Sequence, residues 1–316
     1  MLVVMQSHAS PQEIEQVLQA IRDMKLTPHP LPGATRTAIG ITGNVNAVDP
    51  RTLEVLPGVS ELIRVTKPYK LASREMRPAD TTVRIPLKSE VTIGPGTFTM
   101  IAGPCSVETE AMVMRTAEFL MSRGVRLLRA GAFKPRTSPY AFQGLGVTGL
   151  QYFRDAAKRH KLPIVTELMD VRDVEAVAEV ADVIQVGARN MYNYELLRAV
   201  GQTGKPVVLK RAFSATLDEW LNAAEYIALS GSESIVLCER GIRTFARETR
   251  STLDLSIVPL ALREARLPVL VDVSHAAGRR DILVPLAKAA FAVGAHGVMI
   301  EVHPDPDVAR SDSEQQ

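Results

Sequence analysis

The hydrophobic positions of the first 66 residues alternate between strand-like runs and one helical stripe. The short apolar run from Leu2 to Met5 predicts an opening strand. Ser10, Pro11 and Glu13 follow as an N-cap, a proline in the first helical turn and the acid of a capping box, so a helix begins here. That helix presents one apolar face, made of Ile14, Val17, Leu18, Ile21 and Met24.

The rest of this first part predicts two more strands, over 35–42 and 60–66, with a short helix over 49–56 between them. The order strand, helix, strand, helix, strand is typical of a small α+β unit of the split βαβ type. We assign it to residues 1–70. A unit of fewer than about 75 residues buries little surface alone, so we expect it to dock on the rest of the chain or on a neighbouring subunit.

Residues 71–90 are polar and contain proline, which predicts a linker that ends in an extended segment over 82–87. Beyond position 91, β-branched runs alternate with helical patterns, and eight of the runs predict strands whose starts lie 19 to 38 residues apart. This spacing favours an α/β fold, a (β/α)₈ TIM barrel over 91–316, with an open doubly wound sheet as the alternative. The predicted barrel strands are 98–104, 126–131, 164–168, 183–188, 207–211, 234–240, 269–274 and 297–303.

Composition narrows the class of protein further. The 316 residues carry a net charge of only +2, which offers no global field for nucleic acid or membrane. Two cysteines cannot build a disulfide framework, and the start MLVVMQSHAS lacks the basic region and cleavage site of a signal peptide. No stretch reaches eighteen apolar residues, so we expect a cytoplasmic protein without a membrane span.

Polar side chains follow nearly every predicted barrel strand. In a TIM barrel the active site lies at the carboxyl ends of the strands, so these side chains are expected to converge. They are Cys105, Arg129, Lys134, Glu167, Gln185, Arg189, Lys210, Arg211, Glu239, Arg240, Asp272, His275, Glu301 and His303.

Six of the cations would surround one mouth of the barrel, although the whole chain is nearly neutral: Arg129, Lys134, Arg136, Arg189, Lys210 and Arg240. Such a ring suits a multiply charged anion, because arginine binds phosphate or carboxylate with two parallel hydrogen bonds and lysine adds a compact charge. The alternative is that each cation pairs with a local acid such as Glu167 or Glu239. The segment KPRTS at 134–138 adds hydroxyl groups, as a second phosphate pocket would need.

A divalent metal site is the second chemical prediction. Sulfur, nitrogen and oxygen donors come from Cys105, His275, Glu301 and Asp312, a mixed set that does not identify the metal. The alternative is that these are buried or paired residues of no special function. Cys238 lies inside a strand run and is interpreted as packing, and His296 precedes the last strand and is interpreted as structural.

Lys210 also permits a different mechanism, a Schiff-base lysine of the kind that barrel aldolases use. That hypothesis leaves the four metal-type residues without a function. The sequence contains no GxSxG elbow, no Walker A loop and no GxGxxG fingerprint followed by an acid, which disfavours nucleotide chemistry.

Several long segments, all in one order, resemble 3-deoxy-D-arabino-heptulosonate 7-phosphate (DAHP) synthase across the whole barrel. The first part resembles the ferredoxin-like regulatory extension that one branch of this family carries. The segments are GPCS at 103–106, LRAGAFKPRTSPYAFQG at 128–144, QVGARN at 185–190, LKR at 209–211, CERGIRTF at 238–245, DVSH at 272–275 and EVHPDP at 301–306, followed by SD at 311–312.

The resemblance implies an enzyme that condenses phosphoenolpyruvate with D-erythrose 4-phosphate and water, releases phosphate and opens the shikimate pathway to aromatic amino acids. It implies a divalent cofactor, Mn²⁺ first, with Fe²⁺, Zn²⁺, Co²⁺ or Cd²⁺ as alternatives, which would orient or polarise the aldehyde. The implied metal ligands are Cys105, His275, Glu301 and Asp312, of which Cys105 and His275 count, with Lys134, as catalytic.

The same resemblance assigns the anions. The phosphate and carboxylate of phosphoenolpyruvate would contact Lys134, Arg189, Lys210 and Arg240, with Arg129 and Glu239 in the same substrate site. Pro135, Arg136 and Thr137 would hold the aldose phosphate, and Lys134 would give a proton to the developing alkoxide. One departure is Val273, which stands where the family commonly has proline and predicts a less rigid seventh strand end.

Two alternatives remain open within these implications. One is 3-deoxy-D-manno-octulosonate 8-phosphate synthase, which uses arabinose 5-phosphate; it usually has a KANR-type segment where this chain has KPR at 134–136. The other is a regulatory or binding partner with a degenerate barrel, which the intact set of site residues disfavours. We also expect a homotetramer whose N-terminal unit binds tyrosine or phenylalanine as an inhibitor.

Overall fold

The computed structural model describes residues 1–33, 35–43, 51–63, 67–85, 91–134 and 138–316. They form two compact units, Met1–Pro78 and Ala79–Gln316, and the division falls within the stretch expected as a linker. Among the residues described, no helix combines the length and the apolar character that crossing a membrane requires.

The first unit has the βαββαβ order of a ferredoxin-like fold, and its antiparallel sheet runs β2-β3-β1-β4. The predicted capping box is confirmed, because Ser10 accepts from the backbone N–H of Glu13 and the Glu13 side chain accepts from that of Ser10. The apolar face of the first helix packs on the sheet. The elements are β1 (Leu2–Met5), α1 (Pro11–Asp23), β2 (Thr27–Pro32), β3 (Thr37–Thr42), α2 (Arg51–Glu54) and β4 (Val59–Ile63).

Strand β2 corrects the predicted order of this unit, which had one strand too few. Its sequence TPHPLP contains three prolines, a composition that argues against a central strand. The strand lies at the edge of the sheet, paired only with β3. Because the prolines occupy every second position, all three can lie where the backbone N–H would point away from β3. The hydrogen bonds between β2 and β3 are then all retained. Residues 44–50 and 64–66, parts of the predicted second helix and last strand, lie outside the described residues.

The second unit is a closed barrel of eight parallel strands, which confirms the predicted TIM barrel and makes the open-sheet alternative wrong. Strands are buried on both faces, as parallel strands between helices and a filled interior should be. The barrel strands are β7 (Thr99–Gly103), β8 (Leu127–Arg129), β9 (Ile164–Leu168), β10 (Val183–Val186), β11 (Val207–Lys210), β12 (Ile235–Glu239), β13 (Val269–Asp272) and β14 (Gly297–Glu301).

Helices alternate with these strands along the chain. They are α3 (Glu110–Ser122), α4 (Val147–His160), α5 (Val174–Val180), α6 (Tyr194–Gln202), α7 (Leu217–Leu229), α8 (Ile257–Glu264), α9 (Val273–Ala277) and α10 (Leu283–Ala292). The segment after β14 contains two 3₁₀ turns, Pro306–Val308 and Ser313–Gln315.

A short antiparallel hairpin precedes the barrel, formed by β5 (Val83–Ile85) and β6 (Val91–Ile93). The extended segment before it was predicted, whereas β6 was not. The apolar side chains of the hairpin form one cluster with residues of the barrel strands, among them Leu127, Val183 and Cys238. The hairpin therefore adds to the apolar core of the barrel, and Cys238 packs within this cluster as predicted. His296 accepts a hydrogen bond from the backbone N–H of Val269 at 3.1 Å, a structural role.

Candidate active site and metal centre

Four side chains with metal-binding atoms meet at the carboxyl end of the barrel. One donor atom from each of Cys105, His275, Glu301 and Asp312 lies within 4.8 Å of the other three. Cys105 follows β7, His275 lies in α9 just after β13, Glu301 ends β14, and Asp312 lies in the segment after it. Two carboxylates, an imidazole and a thiol at this spacing fit a divalent transition metal.

The electrostatics of this cluster favour a cation. Burial and, to a smaller extent, the neighbouring Glu301 raise the pKa of the Cys105 thiol to about 12. Burial alone would also raise the pKa of the Glu301 carboxyl, but His275, Arg129 and Lys134 lower it to about 2. Burial lowers the pKa of His275, so its imidazole is available as a neutral ligand. Although burial alone would raise it, the pKa of the Asp312 carboxyl is also lowered, by Arg250 above all. The apoprotein therefore carries two charged carboxylates, a neutral ring and a protonated thiol, and a metal ion must displace the thiol proton.

Asp272 orients the histidine. Its Oδ2 lies 2.8 Å from Nδ1 of His275, and its Oδ1 accepts from the backbone N–H of the same residue at 3.0 Å. The other ring nitrogen, Nε2, is 3.4 Å from Oε1 of Glu301 and so faces the cluster. This is the carboxylate–histidine arrangement that fixes ring orientation in metal sites. The sequence placed Asp272 at a strand end but gave it no role.

Two further residues hold Glu301. Arg129 donates to Oε1 at 2.7 Å and to the Pro104 carbonyl at 2.8 Å. Gln315 donates to Oε2 at 2.6 Å, and its own carbonyl accepts from Arg250 at 2.9 Å. Arg129 is thus engaged by a carboxylate of the donor cluster and does not line the cation cavity, in which the sequence had placed it. No sequence signal pointed to Gln315 or Arg250, because their partners come from distant segments.

A cavity next to the cluster brings together four of the predicted anion-binding cations. It is lined by Lys134, Glu167, Gly187, Ala188, Arg189, Lys210, Phe213, Arg240, Arg250, His275 and Asp312. His275 and Asp312 line it as well as forming the donor cluster, so an anion here and a metal ion would be neighbours. Gly187 is needed for this geometry, since a Cβ there would come within 2.1 Å of Oε1 of Glu167.

The cations of this cavity differ in their partners. Lys210 Nζ lies 2.5 Å from Oδ2 of Asp272, and Lys134 Nζ donates to the Cys105 carbonyl at 2.9 Å and lies 3.1 Å from its sulfur. Arg189 and Arg240 have no carboxylate within 4.0 Å among the described residues. Glu167 instead accepts from Gln185 at 3.0 Å. Pairing with local acids therefore does not account for the cation ring.

Glu239 is placed differently from the cavity cations. Its Oε2 is 3.1 Å from Arg211, and its Oε1 accepts from the backbone N–H of Gly241 at 2.6 Å. Arg211 also binds Asp254 at 2.8 Å. These contacts fix the loop after β12, on which Arg240 lies.

Three predicted substrate residues, Pro135, Arg136 and Thr137, lie outside the described residues, so their role stays a prediction. Val273, the departure from the family pattern, is fully buried and is the first residue of α9. Proline is tolerated at that position because its N–H has no partner within the helix, which explains why either residue can stand there.

Two family models match the chain and together cover most of it. The DAHP synthetase I family matches residues 79–316, and the DAHP synthase ferredoxin-like domain matches residues 1–67. A phospho-2-dehydro-3-deoxyheptonate aldolase of Thermotoga maritima is 51% identical over 315 residues, which are 100% of this chain and 92% of the relative. A 2-dehydro-3-deoxyphosphooctonate aldolase of Syntrophobacter fumaroxidans is 35% identical over 240 residues, 70% of this chain and 82% of the relative.

Solved structures agree with the sequence relatives. The crystal structure of a phospho-2-dehydro-3-deoxyheptonate aldolase (DAHP synthase) from Thermotoga maritima has a TM-score of 0.77 at 51% identity and covers 100% of this chain and 92% of its own. A truncated form of 3-deoxy-D-arabino-heptulosonate 7-phosphate synthase from the same organism has a TM-score of 0.72 at 52% identity, covering 78% of this chain and 89% of its own. The chain belongs to the DAHP synthetase I family and carries the ferredoxin-like domain of DAHP synthases at its N-terminus.

Proposed function

We propose that the barrel site joins phosphoenolpyruvate to D-erythrose 4-phosphate and water, giving DAHP and inorganic phosphate. The observation that carries the proposal is the contact between two sites: a cluster of four metal donors and a cavity of cations share His275 and Asp312. A divalent metal and a multiply charged anion are thus expected side by side, as a condensation of two phosphorylated substrates requires.

The cations assign the first substrate. Arg189 and Arg240 lack carboxylate partners among the residues described, so they are free to bind the phosphate and carboxylate of phosphoenolpyruvate. Lys210 adds a charge that Asp272 already holds in place. The Lys210 side chain is therefore already engaged by an acid, whereas a Schiff-base lysine needs a free amine to attack a carbonyl. We therefore prefer the condensation to the Lys210 aldolase mechanism.

In the condensation, C3 of phosphoenolpyruvate forms a bond to the aldehyde carbon of the sugar, and the aldehyde oxygen takes up a proton. Water adds at C2, and the C2–O bond to phosphate then breaks. The ammonium of Lys134, beside the Cys105 sulfur and carbonyl, is placed to give the proton to the new hydroxyl. The family is generally metal-dependent, and a bound divalent ion, which we propose to be Mn²⁺, would supply a Lewis acid for the aldehyde oxygen. Its ligands would be Cys105, His275, Glu301 and Asp312.

The substrate assignment is tested by measuring phosphate release from phosphoenolpyruvate with D-erythrose 4-phosphate and, separately, with D-arabinose 5-phosphate. We expect turnover with the four-carbon sugar and little with the five-carbon sugar. Preference for arabinose 5-phosphate would assign the chain to the octulosonate reaction named for its 35% identical relatives. No phosphate release with either sugar would reject the condensation.

We also propose a homotetramer in the cytoplasm, in which the ferredoxin-like domain binds tyrosine or phenylalanine and inhibits the barrel. The domain match supports a regulatory role, and reduced thiols suit a metal ligand such as Cys105. Inhibition of the full chain is measured with each amino acid, and again after deletion of residues 1–78. Equal inhibition of the full and shortened chains would reject the N-terminal domain as the effector site.

A further inference from the structure

Phe213 lies at the centre of three guanidinium groups. It follows β11, on the loop before α7, and its ring lines the cation cavity. The guanidinium carbon of Arg240 is 4.5 Å from the centre of this ring, that of Arg189 is 5.6 Å and that of Arg243 is 5.7 Å. All three distances are within the range of a cation–π contact.

None of these three arginines has a carboxylate within 4.0 Å in the part of the chain that the structure describes. Arg240 is buried, and its side chain donates to neutral acceptors: the Gly241 carbonyl, the Ser251 hydroxyl and the His275 carbonyl. The face of the Phe213 ring is therefore a region of negative potential that all three guanidinium groups contact, Arg189 and Arg240 from the lining of the cavity and Arg243 from the loop after β12.

The three guanidinium groups carry like charges and repel one another, which favours conformations in which an arginine turns out to solvent. Such an arginine must be ordered again when an anion binds. Arg189 and Arg243 are exposed, so nothing but local contacts restrains them. Each would lose rotamer entropy when it is ordered around a bound anion. A second contact supports the ring, because the Phe213 carbonyl accepts from the backbone N–H of Arg243 at 2.9 Å. The loop after β12 is thereby tied to the loop after β11.

We propose that Phe213 is a positioning residue that holds Arg189, Arg240 and Arg243 around the anion of phosphoenolpyruvate before it binds. The sequence had not pointed to Arg243, which reaches the cavity only through its contacts with Phe213. The inference rests on the proposed function, because it takes phosphoenolpyruvate as the anion. Removing the ring frees the guanidinium groups, so the anion binds less tightly although none of its direct contacts has been deleted.

The test compares three variants of the full chain with the wild type. Phe213→Leu keeps an apolar side chain without a ring, Phe213→Tyr keeps the ring, and Phe119→Leu is the matched control. Phe119 contacts a single cation, Arg123 at 5.3 Å, on helix α3 of the same unit. Titration calorimetry measures the Kd of phosphoenolpyruvate, and steady-state kinetics give KM and kcat for both substrates.

We expect Phe213→Leu to raise the Kd and the KM of phosphoenolpyruvate about tenfold, while Phe213→Tyr and Phe119→Leu stay within about twofold of the wild type. The KM of erythrose 4-phosphate should not change. Site-specific replacement of Phe213 by phenylalanines of increasing fluorine content keeps the shape of the side chain and weakens the negative face of the ring. The Kd should then rise stepwise with fluorine content.

Three results would overturn the inference while leaving the proposed function intact. The first is a Kd of phosphoenolpyruvate that does not change in Phe213→Leu, and the second is a loss of affinity in Phe213→Tyr as large as that in Phe213→Leu. The third is a Kd that does not vary with the fluorine content of the ring, a test that stays valid even if the Phe213→Leu variant does not fold. A wild-type chain that does not bind phosphoenolpyruvate would instead overturn the proposed function and this inference with it.

Discussion

The carboxylate of Asp272 lies 2.8 Å from Nδ1 of His275, so a residue outside the donor cluster sets the direction of one of its four donors. The same oxygen is 2.5 Å from Nζ of Lys210. Although burial alone would raise the pKa of Asp272, His275 and Lys210 hold it well below the usual range. One buried charge thus connects the metal ligands with the cation cavity, and its loss should be felt in both.

The first prediction concerns this connection. Asp272→Asn keeps the shape of the side chain but removes the charge that orients His275, so we expect the metal Kd to rise about 10–100-fold. Direct metal titration of the apoprotein measures it. The control is Asp182→Asn, a half-buried aspartate that accepts from the backbone N–H of Ile164 at 2.7 Å, near the start of β9. Equal metal affinity of the two variants would argue against the orienting role of Asp272.

The two cysteines should behave differently although both are fully buried. Cys105→Ser replaces a thiolate ligand by a weak one, and we expect most of the metal affinity to be lost. Cys238 belongs to the apolar cluster of the barrel interior and not to the donor cluster, so Cys238→Ser should leave the metal Kd unchanged, at a cost of about 1–3 kcal/mol in the free energy of unfolding. Metal content and thermal unfolding, measured for both variants, distinguish a metal-binding cysteine from one that only packs. A Cys105→Ser chain that binds metal as the wild type does would remove this residue from the ligand set.

Metal binding should depend on pH through the Cys105 thiol. Its pKa of about 12 means that the apoprotein holds the proton at neutral pH, and the metal must displace it. The pKa of His275 is lowered from 6.5, so its ring is already neutral there. Metal affinity should therefore rise about tenfold between about pH 7 and about pH 8, with release of about one proton. Calorimetry in buffers of different ionisation enthalpy counts the proton; an affinity that does not vary with pH would contradict the prediction.

The pair of Arg129 and Glu301 should contribute strongly to stability. Both side chains are almost completely buried and lie 2.7 Å apart. Arg129→Ala leaves a buried charge unpaired, so we expect the free energy of unfolding of the apoprotein to fall by about 3–5 kcal/mol. The matched control is Arg154→Ala, whose exposed partner Glu179 is 3.8 Å away and whose loss should cost below about 1 kcal/mol. Denaturant titration measures both, and equal losses in the two variants would contradict the account.

The sequence allowed the fold to be predicted where local patterns determine structure. The capping box of Ser10 and Glu13 is a signal within four residues, and the barrel strands are apolar runs that parallel pairing buries on both faces. The prediction from sequence failed at β2, because proline is disfavoured in every strand except one at the edge of a sheet. Which strand lies at the edge depends on how all strands of the sheet pair, and a local pattern does not show this. Strand β6 was missed because three residues are too few to show a period.

The candidate site divides in the same way. The donors Cys105, His275, Glu301 and Asp312 could be proposed because barrel topology brings strand ends together. The supporting residues could not be predicted from the sequence, because only the folded chain defines their contacts. Gln315 holds the donor Glu301, and Phe213 contacts three arginines. The division of the cations into paired and unpaired groups likewise depends on which acids come near.

The most direct test of the central claim is a metal titration of activity. The chain is stripped with EDTA, freed of chelator and titrated with Mn²⁺, while phosphate release from phosphoenolpyruvate and erythrose 4-phosphate is followed. We predict no turnover before metal is added and a linear return of activity that ends near one metal ion per chain. Full turnover of the metal-free chain would contradict the assignment of Cys105, His275, Glu301 and Asp312 as the metal centre of this reaction.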